Sequence, residues 1–213
     1  MGYDLKRGLY FAADTGLLDV PEIYTTTRAA LRGGAVMVQL RSKNLPPREI
    51  TSIAREMVAV CDEFGVPLLV NDFPRVALKA GAAGVHVGQT DAAVAEAREV
   101  LGEAAIIGAT TPTSAAVRLA EAEEADYVSA GPMFRSPTKP HKPVAGPELA
   151  RELRPLTSLP LCVIGGISAE NAHELAGCGI DLVCVISAIS GADDPQRAAE
   201  EIIEAMAAAG VAS

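Results

Sequence analysis

Short apolar, β-prone runs recur about every 25 residues along the chain and are separated by longer amphipathic segments. Most of these runs, such as LCVIGG and DLVCVIS, are continuous rather than alternating. Continuous runs are typical of parallel strands that helices cover. We predict eight strands, at Gly8–Ala13, Ala35–Arg41, Val66–Asn71, Gly84–Gly88, Ala105–Ala109, Ala125–Gly131, Leu159–Gly165 and Asp181–Ser187.

The segments between the runs have helical periodicity. Apolar residues recur along Glu49–Phe64 at the spacing that places them on one helical face. The phrases KAGAAGVHVGQ, AEEADYVSAGP and GCGIDLVCVIS repeat one helix-to-strand joint, which indicates a repeated βα unit. Helices are predicted at Glu49–Phe64, Ala92–Leu101, Ser114–Glu124, Glu148–Leu153, Ala169–Ala176 and Pro195–Ala209, with Ser114, Ser168 and Asp194 as N-caps.

Eight βα units in 213 residues favour one α/β domain over residues 1–213, a single (β/α)8 TIM barrel with parallel strands and outer helices. The competing fold is an open doubly wound sheet. That fold usually has a GxGxxG motif after its first strand, whereas the first strand here runs into Asp14 and Thr15. In a barrel, the active site is expected at the carboxyl ends of the strands.

Composition excludes several classes of function. Lys and Arg number 18 against 27 Asp and Glu, a net charge of -9, which disfavours nucleic acid as a partner. No apolar stretch approaches the ~18 residues of a membrane span, and the N-terminus lacks the apolar core of a signal peptide. We expect a reduced, cytoplasmic protein with Cys162 and Cys184 in its core. The sequence leaves open whether the chain forms a homo-oligomer.

Cationic side chains follow the second predicted strand. Alternation directs Gln39 and Arg41 to the same side, towards the barrel mouth, and Lys43 follows in the loop. An arginine in an apolar strand needs an anionic partner if it is buried. A solvated pair of loop charges is the alternative interpretation of Arg41 and Lys43.

Carboxylates follow the third and fourth strands. Asp72 comes directly after Asn71, and Asp91 follows the strand that contains His86. Carboxylates at adjacent strand ends suit Mg²⁺, which takes one or two of them and leaves its other positions to water and phosphate. The alternative is that Asp72 and Asp91 only cap the helices that follow them. We expect His86 to lie in the core or line a pocket.

Phosphate-binding features follow the remaining strands. The hydroxyls of Thr110, Thr111 and Thr113 after the fifth strand could bond a phosphate or cap the helix at Ser114. The segment from Tyr127 to Pro147 has no acidic residue but contains Arg135, Lys139 and Lys142, which favours a phosphate clamp over a solvated basic loop. The seventh strand ends in Gly-Gly and the eighth in Ile-Ser-Ala, an arrangement typical of phosphate-binding barrels.

With these motifs the chain resembles the thiamine-phosphate synthase family. The matching segments, LYFAAD, VQLRSK, LLVNDF, GVHVGQTD, IIGATT, ADYVSAGPMFRSPTK, VIGGI and VISAI, run from Leu9 to Ile189 in the family's order. The resemblance implies an Mg²⁺-dependent transferase with phosphorylated small molecules as substrates. It would condense an aminopyrimidine methyl diphosphate with a thiazole phosphate and release pyrophosphate.

The resemblance also implies roles for individual residues. Asp72 and Asp91 would hold Mg²⁺ against the diphosphate. The diphosphate would contact Arg41, Lys43, Asn71 and Lys139, with Gln39 nearby and Thr110 on the pyrimidine or diphosphate side. The thiazole phosphate would be bound by Ser136, Thr138, Gly166, Ile186 and Ser187. Arg41, Lys43, Lys139 and Thr110 are the catalytic candidates.

Departures from the family pattern occur after the fifth strand, where Thr110 stands first and Pro112 replaces a histidine, and at Ser136, where threonine is frequent. The alternatives are a thiazole tautomerase-like isomerase, a non-catalytic thiazole-phosphate-binding regulator and another phosphate-binding barrel isomerase. The tautomerase would not be expected to keep both aspartates together with Lys43 and Lys139. Binding a monophosphate alone needs no metal pair.

Overall fold

The computed structural model describes residues 5–88, 93–136 and 143–211. Eight parallel strands close into a barrel in chain order, and the first strand pairs with both the second and the eighth. The strands are β1 (Gly8–Asp14), β2 (Met37–Arg41), β3 (Leu68–Asn71), β4 (Gly84–Val87), β5 (Ile106–Thr110), β6 (Tyr127–Ala130), β7 (Leu161–Ile164) and β8 (Leu182–Val185). The predicted (β/α)8 fold is confirmed.

Helices connect the strands around the outside of the barrel. They are α1 (Val20–Arg32), α2 (Pro47–Asp62), α3 (Pro74–Ala80), α4 (Val94–Leu101), α5 (Ser114–Ala122), α6 (Pro147–Leu153), α7 (Ser187–Ser190) and α8 (Pro195–Ala208). Helix α1 was not among the helices predicted from the sequence. Its start is nevertheless marked by a capping box, in which the Asp19 carboxylate accepts from the Glu22 N–H and the Glu22 carboxylate accepts from the Asp19 N–H.

Two of the three predicted helix N-caps differ in the structure. Asp194 is confirmed, because its carboxylate accepts from the Arg197 N–H at 3.0 Å. Ser114 is wrong as an N-cap: the hydroxyl of Thr113 accepts from the Ala116 N–H at 3.2 Å, so Ser114 is the first helical residue. Both residues are good caps, and only the backbone decides which of them precedes the first turn.

The predicted α-helix over Ala169–Ala176 is also wrong. Only a short 3-10 helix forms there, at Ala172–Leu175. Ser168 is not its N-cap, because the Ser168 hydroxyl bonds the Glu170 carboxylate and the Ser168 N–H donates to the Asn171 side chain. These local bonds hold the chain in a turn where a helix would otherwise begin.

The barrel encloses an apolar interior that is separate from the layer between strands and helices. Tyr10, Met37, Tyr127, Cys162 and Cys184 belong to this interior and are at most 3% exposed. The prediction that both cysteines are core residues is thus confirmed. Burial raises the pKa of the Cys162 thiol to about 12, so it stays protonated at neutral pH.

The bottom of the barrel is closed by an ion pair that is built into a helix-to-strand joint. Asp126, directly before β6, accepts from the Ile107 N–H of β5 at 2.7 Å and pairs with Arg98 of α4 at 2.8 Å. Arg98 also donates to the carbonyls of Ala105 and Glu124, both at 2.8 Å. The joint therefore fixes two strands and one helix against each other.

A second joint repeats this design one quarter of the barrel further on. Asp181, directly before β8, accepts from the Leu161 N–H of β7 at 2.8 Å and pairs with Arg154 at 3.0 Å. Its other oxygen pairs with Arg7, which precedes β1, at 2.7 Å. The predicted repeat of the helix-to-strand joint is thereby confirmed, and the second copy also closes the barrel between β8 and β1.

Candidate active site

The carboxyl end of β2 meets that of β1 through an ion pair. Asp14 lies opposite Arg41 in the register of the two strands, and an Arg41 guanidinium nitrogen contacts an Asp14 carboxylate oxygen. The two side chains are only 15% and 4% exposed, respectively. The interpretation of Arg41 as a solvated loop charge is therefore wrong. Its anionic partner within the chain is Asp14, which the sequence analysis did not identify.

A second ion pair links the loop after β2 to the end of β3. The Lys43 ammonium contacts the Asp72 carboxylate, and the Lys43 side chain is 47% exposed whereas that of Asp72 is 8% exposed. Asn71, the last residue of β3, is buried beside it. The structure thus brings Arg41, Lys43, Asn71 and Asp72 together at neighbouring strand ends.

The backbone at Asp72 adopts an unusual conformation. Its φ is +66°, in the left-handed region that non-glycine residues rarely occupy, and its N–H donates to the His86 carbonyl at 2.8 Å. The capping interpretation of Asp72 is wrong, because α3 has Phe73 at its N-cap position and no side chain caps it. Backbone strain of this kind clusters at functional sites, so Asp72 is a candidate on structural grounds as well.

Polar side chains form a hydrogen-bonded chain across the interior of the barrel, below the mouth. The Gln39 amide donates to the Tyr10 hydroxyl at 2.5 Å, and the hydroxyls of Tyr10 and Tyr127 lie 3.2 Å apart. One ring nitrogen of His86 lies 2.9 Å from the Tyr127 hydroxyl and the other 3.0 Å from that of Thr110. The prediction that His86 lies in the core or lines a pocket is confirmed.

The two tyrosines at the centre of this hydrogen-bonded chain are uncharged. Burial raises the pKa of Tyr10 and of Tyr127 well above the usual value of 10.0, so both remain neutral hydroxyls. A glycine at position 108 makes room for Tyr127, because a Cβ there would lie 2.0 Å from the Tyr127 ring. The sequence analysis missed both tyrosines, which stand in apolar runs and look like ordinary core residues.

Thr110 ends β5 and faces a small cavity of about 240 Å³ between the ends of β4 and β5. Among the hydroxyls predicted to bond a phosphate or cap the next helix, that of Thr113 caps α5, so the capping interpretation is confirmed for Thr113. Thr110 does not cap the helix. Its hydroxyl instead joins the His86 ring, as described above. Thr110 and Gln39 are thus the two ends of one hydrogen-bonded chain.

The glycines that follow β7 allow two loops to pack closely. Gly166 has a φ of +66°, and a Cβ there would lie 2.2 Å from the Arg135 carbonyl in the loop after β6. The Asn171 side chain donates to the Gly166 carbonyl at 2.8 Å. Ile186 links β8 to α7, and Ser187 is the first residue of α7. The glycine pair therefore places the residues after β6 against the end of β7.

Part of the predicted site lies outside the described residues. Asp91, Thr138 and Lys139, as well as Lys142, belong to the two gaps, and Ser136 is the last described residue before the second gap. The helix after the first gap begins at Val94 with Ala93 as its N-cap residue. The interpretation of Asp91 as a helix cap concerns a residue outside the described ranges and stays a prediction.

The described ranges contain no cluster of three or more His, Cys, Asp or Glu side chains able to hold a metal ion. Within the same ranges no helix is long and apolar enough to cross a membrane. A cavity of about 580 Å³ is a groove on the outer surface between α2, α3 and α4, and it reaches the mouth at Asp72 and Phe73.

Comparison with known proteins gives a consistent result. A family model described as thiamine monophosphate synthase matches residues 9–189. The thiamine-phosphate synthase of Thioalkalivibrio sulfidiphilus is 41% identical over 199 residues, covering 92% of this chain and 93% of that protein. The thiamine-phosphate synthase of Methanoculleus marisnigri is 39% identical over 210 residues and covers 98% of both.

Comparison with solved structures supports the same family. The thiamine phosphate pyrophosphorylase of Pyrococcus furiosus superimposes with a TM-score of 0.84 at 33% identity, covering 95% of this chain and 96% of that one. A 3-hexulose-6-phosphate synthase superimposes with a TM-score of 0.70 at 18% identity, which supports the barrel fold alone. These results do not favour the tautomerase, regulator or other isomerase interpretations. The chain belongs to the thiamine monophosphate synthase family, and its activity is that of a transferase that forms thiamine phosphate.

Proposed function

We propose that the barrel mouth joins an aminopyrimidine methyl diphosphate to a thiazole phosphate and releases pyrophosphate. The observation that supports this most directly is the grouping of Arg41, Lys43, Asn71 and Asp72 at the ends of β2 and β3. Two cations and an amide beside a buried carboxylate suit a diphosphate that binds together with a metal ion.

The residues that would hold Mg²⁺ are Asp72 and Asp91. The Asp72 carboxylate is 8% exposed, lies at a strand end and already faces a cation, the Lys43 ammonium. Because Mg²⁺ in phosphate sites commonly takes only one or two carboxylates, this donor set fits the ion. When bound, Mg²⁺ would neutralise negative charge on the departing pyrophosphate.

The bond changes need no protein nucleophile. The bond between the methylene carbon and the diphosphate oxygen breaks, and its electron pair leaves with pyrophosphate. The lone pair of the thiazole nitrogen then forms the new bond to the pyrimidine-methyl cation. Arg41, Lys43 and Lys139 would stabilise the charge that develops on the leaving group, which is the main catalytic contribution expected of the protein.

The other candidates would bind and orient the two substrates. Gln39 and Thr110, each held by the buried hydrogen-bonded chain, would form a polar floor under the aminopyrimidine. Pre-oriented donors of this kind bind without having to reorganise. We assign the thiazole phosphate to the residues after β6, β7 and β8, namely Ser136, Thr138, Gly166, Ile186 and Ser187.

The cellular setting is part of the proposal. The four cysteines are free and buried, which supports a reducing compartment such as the cytoplasm.

The test combines purified protein, both phosphorylated substrates and MgCl₂, with thiamine phosphate and pyrophosphate measured as products in equal amounts. We expect product only with divalent metal, and a loss of about 10²-fold or more in kcat for Asp72→Ala. An exposed carboxylate elsewhere, in Asp193→Ala, is the control. Absence of product from folded wild-type protein would overturn the proposed reaction. Full Mg²⁺-dependent activity of Asp72→Ala would overturn only the metal assignment.

A further inference from the structure

Asp14 is held in one orientation at the end of β1. One of its carboxylate oxygens accepts from the Gly16 N–H at 2.9 Å, and the other contacts Arg41. Its carbonyl accepts from the N–H groups of Leu17 and Leu18, at 3.0 and 3.1 Å. The side chain is 4% exposed, and both carboxylate oxygens therefore have partners within the protein.

The loop after Asp14 is also bonded to the end of β2. The Thr15 N–H donates to the Arg41 carbonyl at 3.0 Å, and the Thr15 hydroxyl donates to that of Ser42 at 2.9 Å. Main chain and side chains therefore hold β1 and β2 together on both sides of the ion pair. The segment from Asp14 to Pro21 begins at the last residue of β1. These bonds hold the first residues of the segment in place beside the barrel mouth.

Arg41 can keep Asp14 and still bind an anion. A guanidinium group has five N–H donors in a plane, so one edge can contact a carboxylate while another faces a phosphate. Separation of the pair would leave the Asp14 charge buried and unpaired, which is strongly unfavourable. Lys43 differs, because its ammonium is a single point charge on a flexible, half-exposed side chain.

We propose that Asp14 is a positioning residue that fixes the guanidinium of Arg41 so that its free edge faces the diphosphate. This proposal rests on the proposed function for the identity of the anion. Asp14 touches no substrate and acts only through Arg41. Its removal should therefore weaken diphosphate binding when Arg41 is present and have no effect when Arg41 is absent.

The test is a set of variants, Asp14→Asn, Arg41→Gln, the double variant, and Asp14→Asn combined with Lys43→Ala. The probe is inorganic pyrophosphate with MgCl₂, titrated by calorimetry, and KM and kcat are measured separately. We expect Asp14→Asn to weaken pyrophosphate binding and raise the KM for the diphosphate substrate about 10-fold, because a misplaced group near the reacting centre costs up to about 10²-fold. Asp193→Ala, which removes an exposed carboxylate outside this loop, is the control.

The combined variants separate positioning from folding. In the Arg41→Gln background, Asp14→Asn should change pyrophosphate affinity less than 2-fold, whereas in the Lys43→Ala background it should retain its full effect. Arg41→Gln alone should lower the denaturation midpoint, because it leaves the buried Asp14 carboxylate without its cationic partner. The double variant should restore the midpoint without restoring affinity.

Two results would overturn the proposal: unchanged pyrophosphate affinity in folded Asp14→Asn, or an equal loss in the Arg41→Gln background. Because the titration needs no turnover, it remains informative if the wild-type protein forms no thiamine phosphate. In that case the proposed function fails while the coupling between Asp14 and Arg41 is still measured.

Discussion

The two ends of the barrel use the same pair of functional groups, a carboxylate and a cation, in different ways. At the bottom, Asp126 and Asp181 each bond an arginine and a backbone N–H near the start of a neighbouring strand. At the mouth, Asp14 and Asp72 bond Arg41 and Lys43, whose own positions lie at the predicted diphosphate site. The bottom pairs tie strands to helices, whereas the mouth pairs hold cations near one another before a substrate arrives.

This difference has a physical basis. Like charges placed together without counterions repel each other, and a buried carboxylate without a partner is costly. The pairing of Arg41 and Lys43 with one carboxylate each keeps these groups in place in the free protein. The bottom joints contain no cation that a substrate needs, so their contribution is to stability. The comparison predicts that mutations at the two ends affect different observables.

The largest effect is expected at the mouth, for Lys43→Ala. Loss of a charged contact to the departing pyrophosphate should lower kcat by about 10²–10³-fold, because such contacts are worth about 3–4 kcal/mol in the transition state. The denaturation midpoint should fall only modestly. The change removes a cationic partner of the buried Asp72 carboxylate, but the Lys43 side chain is half-exposed and the pair is partly screened by water. Lys6→Ala, an exposed lysine at the bottom of the barrel, is the matched control and should retain the wild-type kcat. If Lys43→Ala strongly lowered stability without lowering kcat, the mouth pair would act on stability as the bottom pairs do, and the proposed difference between the two ends would be wrong.

The fold could be predicted from the sequence because its strands are continuous apolar runs at regular intervals. The site was only partly predictable. Arg41 in an apolar strand indicates a buried anionic partner, but the identity of that partner, Asp14, depends on the register between β1 and β2. The hydroxyls of Tyr10 and Tyr127 meet only because the barrel closes. Such contacts arise from tertiary geometry and leave no pattern within a single strand.

The next effect is expected at the bottom, for Asp181→Ala. This variant removes the partner of Arg154 and Arg7 and leaves the Leu161 N–H without its acceptor. We expect a loss of about 3 kcal/mol in the free energy of unfolding, measured by urea denaturation. The folded fraction should keep its kcat, because the joint is at the opposite end from the mouth.

The matched control for Asp181→Ala is Asp193→Ala, which removes an exposed carboxylate and should change stability by less than about 0.5 kcal/mol. A kcat that falls further than the folded fraction would show that the bottom joint also shapes the mouth. The strands would then transmit the change at the bottom joint to the side chains at the mouth.

The smallest effect concerns the neutral interior that separates the two charged ends. Burial raises the pKa of the Cys162 thiol from 9.0 to about 12, so the folded protein keeps a proton there that the unfolded chain loses. This contribution to stability is complete below pH 9 and is lost as the pH rises towards 12, at up to about 1.4 kcal/mol per pH unit. Cys162→Ala should therefore lose stability less steeply than wild type between pH 9 and pH 11, as measured by denaturation at each pH.

Val163→Ala opens a cavity at the adjacent position without removing a titrating group, so it should lower stability while keeping the wild-type slope of stability against pH. Equal slopes of unfolding free energy against pH for wild type and Cys162→Ala would mean that the buried thiol can ionise. The interior would then not separate the two charged ends of the barrel electrostatically.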